Sequence, residues 1–181
     1  DLTSFDPAKA NDGSVFTLNG NLYDRLVELD SDATIVPGLA EKWETADQKV
    51  WTFTLRKGVK FHNGDELKAD DVVFSLTRAK DDKMKDNKVF SIQGVMEKIE
   101  KIDDYTVKIT TKAPFGQLLN HLAHTSGSIV NKKVVEAEGE NYGKAKGGKV
   151  VGTGAYKLVS NDDQKLVMEK FDGYYGGGKY V

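Results

Sequence analysis

Cysteine is absent from this 181-residue chain. That excludes disulfides, thiolate nucleophiles and cysteine-ligated metal sites. No apolar run is long enough to span a bilayer. Neither sign of charge dominates: 26 basic residues stand against 28 acidic ones, and single-sign blocks are short. No global field therefore draws in nucleic acid or anionic lipid. Only three histidines are present, which leaves little material for a convergent nucleophile and base. Three prolines occur, Pro7, Pro37 and Pro114, each at a turn signal or the opening of an element. The chain opens Asp1-Leu2-Thr3 with neither methionine nor a targeting segment. Secreted proteins lose that segment on maturation, so its absence does not argue against export.

What is present suits one sizeable core, or one lobe with pieces of another. Pro7 and Asp12-Gly13 mark a first loop over residues 1–14, and Ser14 is placed to cap the helix that follows. Val15, Phe16, Leu18, Leu22, Tyr23, Leu26 and Val27 recur at helical spacing. Asp30 to Thr34 reads as a polar turn. From Trp43 to Arg56 the period becomes two: Trp51, Phe53 and Leu55 alternate with Val50, Thr52 and Thr54 as in a half-buried strand, after a hairpin turn at Thr45–Gln48. Asn63-Gly64 is a further turn. Ala69, Val72, Val73, Leu76 and Ala79 form the stripe of a helix over 69–80, with Asp70 and Asp71 in its first turn, where the dipole favours acids. Lys68 stands at its N-cap, a weak capping residue, and a start shifted to Asp70 is one remedy. Residues 81–88 read as an exposed loop. Thr106–Thr110 reads as a strand, Pro114–Leu122 and Asn131–Glu138 as helices, and Ala155–Val159 with Lys165–Glu169 as a hairpin. The fold class is α+β (mixed α/β).

Several short motifs invite sharper readings. His121 and His124, three residues apart, could face one metal, but two ligands do not complete a site. Gly143 to Lys149 matches seven positions of a phosphate loop, yet Val150 stands where Ser or Thr must reach magnesium. Gly152-Thr153-Gly154 lacks the third glycine and the helix of a dinucleotide site. Asp70 and Asp71 diverge by about 100° on a helix and do not converge on one bond. Trp43, Trp51, Phe53 and Phe61 carry strand periodicity and read as core.

Taken in order, Val36-Pro37-Gly38-Leu39-Ala40-Glu41-Lys42-Trp43-Glu44, Val50 to Gly64, Leu67 to Leu76, Ile102 to Ile109, Ser128 to Lys133, Val151 to Val159 and Glu169 to Tyr175 resemble the extracytoplasmic solute-binding proteins of peptide and nickel ABC importers. The likeness is collinear from Asp6 to Tyr180. Ala155 stands where the family usually has Pro, and Tyr175 where Trp is common. The resemblance implies the N-terminal part of a two-lobed periplasmic-binding-protein-like fold, with residues missing at both ends. Residues 1–26 would belong to lobe I, 27–150 to the family's second domain, and 151–181 to the return into lobe I. It implies capture of a solute, foremost an oligopeptide, outside the membrane for an ABC permease, with no cofactor and no catalysis. The loop of Asn11, Asp12 and Gly13 would face the cleft, where an extended peptide pairs with backbone. Phe90 would line a second cleft-facing stretch. The bland alternative is a surface turn and a core aromatic. Two other readings stand beside capture: a self-associating interaction piece, dimeric through apolar surface that absent domains would cover, and a hydrolase built on a cleft.

Overall fold

The computed structural model describes residues 4–10, 12–85, 88–162 and 165–176, without the side chains of 88–90. Along the chain come α1 (Gly13–Leu22), β1 (Val27–Leu29), β2 (Ile35–Pro37), β3 (Ala40–Glu44), β4 (Val50–Leu55), α2 (Ala69–Ala79), α3 (Lys88–Gln93), β5 (Met96–Asp103), β6 (Thr106–Thr111), α4 (Leu118–Ala123), α5 (Lys132–Glu138), β7 (Tyr156–Asn161) and β8 (Leu166–Lys170). Three-residue 3-10 turns lie at Asp82–Met84, Thr125–Gly127 and Gly139–Asn141.

Period-two burial builds the central sheet. β4 turns Trp51, Phe53 and Leu55 inward, opposite Ile109 and Val107 of β6. The strands run antiparallel in the order β3-β4-β6-β5. The β3–β4 turn is closed by Asp47, whose Oδ1 accepts the N–H groups of Lys49 and Val50, each at 2.9 Å. Helix α2 buries Ala69, Val72, Leu76 and Ala79 and packs on β5 and β6.

Two apolar cores result. One gathers Leu26 to Ile129 and includes Phe53, Phe61, Leu76 and Leu122. The other gathers Phe5, Leu22, Tyr23, Val130, Val135, Tyr142 and Val150, with Leu158, Leu166 and Met168 of the β7–β8 hairpin against it. The chain passes from one core to the other between Tyr23 and Leu26, and again between Ile129 and Val130. These passages are tied where Ile129 N–H donates to the Asp24 carbonyl at 2.9 Å.

Four expectations need correction. The first helix stops at Leu22 and Tyr23 is extended, because Leu26 must offer its carbonyl to the N–H groups of Gly38 and Ala40. Its cap is Asp12 rather than Ser14: Asp12 Oδ1 accepts from Ser14 N at 2.8 Å and from Ser14 Oγ at 2.6 Å. Helix α2 keeps Lys68 as N-cap, and the missing cap is supplied by Asp71, whose Oδ2 accepts Lys68 N–H at 3.1 Å. Asp70 instead pairs with Lys101 at 2.8 Å. Helix α4 begins at Leu118, not at Pro114, since Phe115 N–H is bonded to the Gln48 carbonyl. β1, β2 and most of β5 were not read from the sequence at all. The helix of 69–79, the Thr45–Gln48 turn, β6, α5 and the β7–β8 hairpin formed as expected.

Candidate functional site

The candidate site grows from the start of α1. Asp12 is exposed and spends one carboxylate oxygen on the helix cap, and the hydrogen bonds from the Ser14 hydroxyl and N–H hold its pKa below the ordinary carboxylate value. Gly13 is the first helical residue, and a Cβ placed there would meet nothing within 4 Å. Val15 turns into the core, while Phe16 is half-buried. The Phe16 ring meets the His124 imidazole edge to face, with centroids 5.4 Å apart.

His124 opens the Thr125–Gly127 turn, which packs on α1, α2, α3 and α4. His124 Nδ1 accepts Ser126 N–H at 3.1 Å and lies 2.9 Å from Ser126 Oγ. Gln93, the last residue of α3 and fully buried, donates its Nε2 to Ser126 Oγ at 2.9 Å and to the His121 carbonyl at 3.2 Å. The start of α1, the 3-10 turn and the end of α3 thus meet on one face. Asp12 and Gly13 precede Phe16 at the start of α1. Asn11 and the Phe90 side chain lie outside the described residues, although the backbone at position 90 belongs to α3.

Sequence reasoning missed Phe16, Gln93 and Ser126, and saw His124 only as half of a metal pair. His121 directs Nδ1 to the Gln117 carbonyl and its ring against Phe115, while His124 faces Ser126. Among the described residues, no group of three or more metal-ligating side chains converges.

Beneath this face, the passage between the cores carries buried charge. The Arg25 guanidinium is bonded to Glu28, with Nε to Oε2 at 2.7 Å. Asp24, 1 % exposed, accepts from Thr153 Oγ1 at 3.0 Å and from the Tyr174 side chain. Burial, reinforced by the Glu28 carboxylate, pushes the Asp24 carboxyl up to about 7. His62 clasps the same returning segment: Gly152 N–H donates to Nδ1 at 3.3 Å, and Nε2 is 2.9 Å from the Gly154 carbonyl. Because Nδ1 accepts, the ring proton sits on Nε2 and is given to Gly154. Burial holds the His62 imidazole down at about 4. Gly152 is required here, since a Cβ would stand 2.1 Å from the Leu22 carbonyl oxygen.

A cavity of about 700 Å³ lies between the β1–β2 hairpin, Arg56 and Tyr174–Gly176. A polar one of about 630 Å³ lies between the starts of α2 and α5. Neither includes Asp12, Gly13, Phe16 or His124.

Residues 34–181 match the family described as bacterial extracellular solute-binding proteins, family 5 Middle. The glutathione-binding protein GsiB of Pectobacterium atrosepticum is 36% identical over 98% of this chain and 34% of its own length. Among solved structures, the periplasmic binding protein DppA of Helicobacter pylori, in complex with the peptide STSA, is 34% identical with a TM-score of 0.83, covering 97% of this chain and 38% of that one. MoaA of A. tumefaciens R10, in complex with mannopinic acid, is 34% identical with a TM-score of 0.87, covering 98% and 36%. The chain spans about a third of the length of the curated relatives it matches. Its mixed helix and sheet structure is that of the matching third of periplasmic binding proteins, and the chain belongs to the family 5 bacterial extracellular solute-binding proteins.

Proposed function

We propose that this chain supplies one wall of a solute-binding cleft, that the solute is a short peptide, and that the protein delivers it outside the membrane to an ABC permease. The observation that carries this reading is the match of the fold, over 97% of this chain, to a relative solved in complex with a peptide. Main-chain groups at the rim of a cleft bond an extended peptide backbone independently of the peptide's sequence. In this proposal Asp12 and Gly13, at the start of α1, stand at the rim of that cleft.

In this reading residues 1–26 and 151–181 belong to the ligand-bearing lobe and 27–150 to a second domain packed upon it. Closure is a hinge motion that buries the solute, and the permease recognises the closed form. No bond is made or broken. Ser126 and His124 are hydrogen-bonded, as a nucleophile and base would be. However, Ser126 is only 3 % exposed and its Oγ already accepts from Gln93. A substrate carbonyl cannot reach it, which argues against the hydrolase alternative.

Calorimetric titration of the purified protein with dialanine, trialanine and glutathione tests the reading. One-to-one binding of at least one peptide, with no hydrolysis product, is expected. Saturable binding of a non-peptide solute with no heat from any peptide would overturn the peptide assignment.

A further inference from the structure

The hydrogen bonds around His124 fix which of its nitrogens carries the proton. A backbone N–H only donates, so the bond from Ser126 N leaves Nδ1 as an acceptor. Ser126 Oγ accepts from Gln93 Nε2, and its own hydrogen is therefore available to the same Nδ1. The proton of the neutral ring sits on Nε2. An accepting Nδ1 is that of the neutral ring, and burial, with Arg25 nearby, lowers the basicity of His124 in the same sense. Phe16 sets its plane. The ring is half-buried, and Nε2–H has no protein acceptor among the described residues.

We infer that His124 is a specificity-determining residue of the proposed cleft, offering Nε2–H to a carbonyl or carboxylate oxygen of the solute, with Ser126 and Gln93 as positioning residues that preset the tautomer. The inference rests on the solute-capture reading above. A neutral donor suits a roomy site: it rewards an oxygen acceptor without attracting every anion, and it needs no reorganisation when the solute arrives. The cap bonds use only Oδ1 of Asp12, at the start of the helix whose Phe16 meets the His124 ring, so that helix also carries a carboxylate acceptor.

The test has a spectroscopic arm and a binding arm. Nitrogen NMR of histidine-labelled protein should show His124 as the Nε2–H tautomer, and Ser126→Ala should raise the Nδ1–H population. In calorimetry with trialanine, His124→Phe keeps the ring contact with Phe16 but has no donor, and should bind about tenfold more weakly. His124→Gln restores a donor and should come within about threefold of the native affinity. Trialanine amide separates the two acceptors: an unchanged effect of His124→Phe assigns a carbonyl, and a vanished effect assigns the carboxylate. Thermal melts establish that each variant is folded. A dominant Nδ1–H tautomer, or native affinity in folded His124→Phe, would overturn the inference and leave the capture reading intact. Failure of the native protein to bind any peptide sinks the capture reading and this inference with it.

Discussion

Asp24→Asn is the most revealing single substitution. The folded chain holds the Asp24 carboxyl at about 7, against an ordinary 3.8. Between those values the folded protein keeps a proton that the unfolded chain has released. Stability from this group is thus full below the unfolded pKa and is lost as pH rises through the folded one. A gap of about three pH units corresponds to about 4 kcal/mol. His62 acts in the opposite sense. Its imidazole is held at about 4 against 6.5, so the unfolded chain takes up a proton first, and stability rises with pH across that interval by about 3 kcal/mol. The two nearly cancel, and the native protein should show a shallow profile. Asparagine keeps an oxygen for Thr153 Oγ1 and cannot ionise. The variant should match the native protein at about pH 3, below the unfolded pKa, and exceed it by up to about 4 kcal/mol at about pH 8. Urea unfolding followed by tryptophan fluorescence measures both, with equal m-values as the check on comparison. A variant-minus-native difference that is flat, or that falls with pH, would refute the reasoning.

Other substitutions probe separate joints. Asp71→Ala removes the acceptor for Lys68 N–H at the start of α2 and for Lys132 N–H at the start of α5; it should cost about 2–3 kcal/mol in urea unfolding. Asp12→Ala removes the cap of α1 and should cost about 1 kcal/mol by the same assay. Gly152→Ala drives a Cβ against the Leu22 carbonyl and should cost about 3 kcal/mol or more, with a lowered melting temperature. The 181-residue chain exposes Leu29, Ile102 and Val159, each about half accessible. Light scattering should show its mass rising with concentration, and a strictly monomeric mass at high concentration would contradict self-association.

The elements that showed themselves in the sequence are those whose burial is periodic. Trp51, Phe53 and Leu55 alternate because one face of β4 is covered, and the stripe from Ala69 to Ala79 is the buried face of α2. The rest depends on distant partners. Tyr23 and Leu26 continue the helical spacing of α1, yet they leave the helix to enter two different cores. β5 is an edge strand with charged side chains on both faces, so it has no alternation to read. The site divides the same way. Asp12-Gly13 was visible as a turn signal. The tautomer of His124 was not, because it is set by the Ser126 N–H and hydroxyl at Nδ1, and that hydroxyl is held by Gln93, 33 positions away. Asp24 looks like any polar residue until Thr153, 129 positions away, is seen to bond it.

Native mass spectrometry of the protein purified from cells, before and after denaturation, tests the central claim most directly. The account predicts a complex heavier than the chain that releases one or more short peptides when unfolded. Release of a non-peptide solute alone, one that trialanine fails to displace, would contradict it.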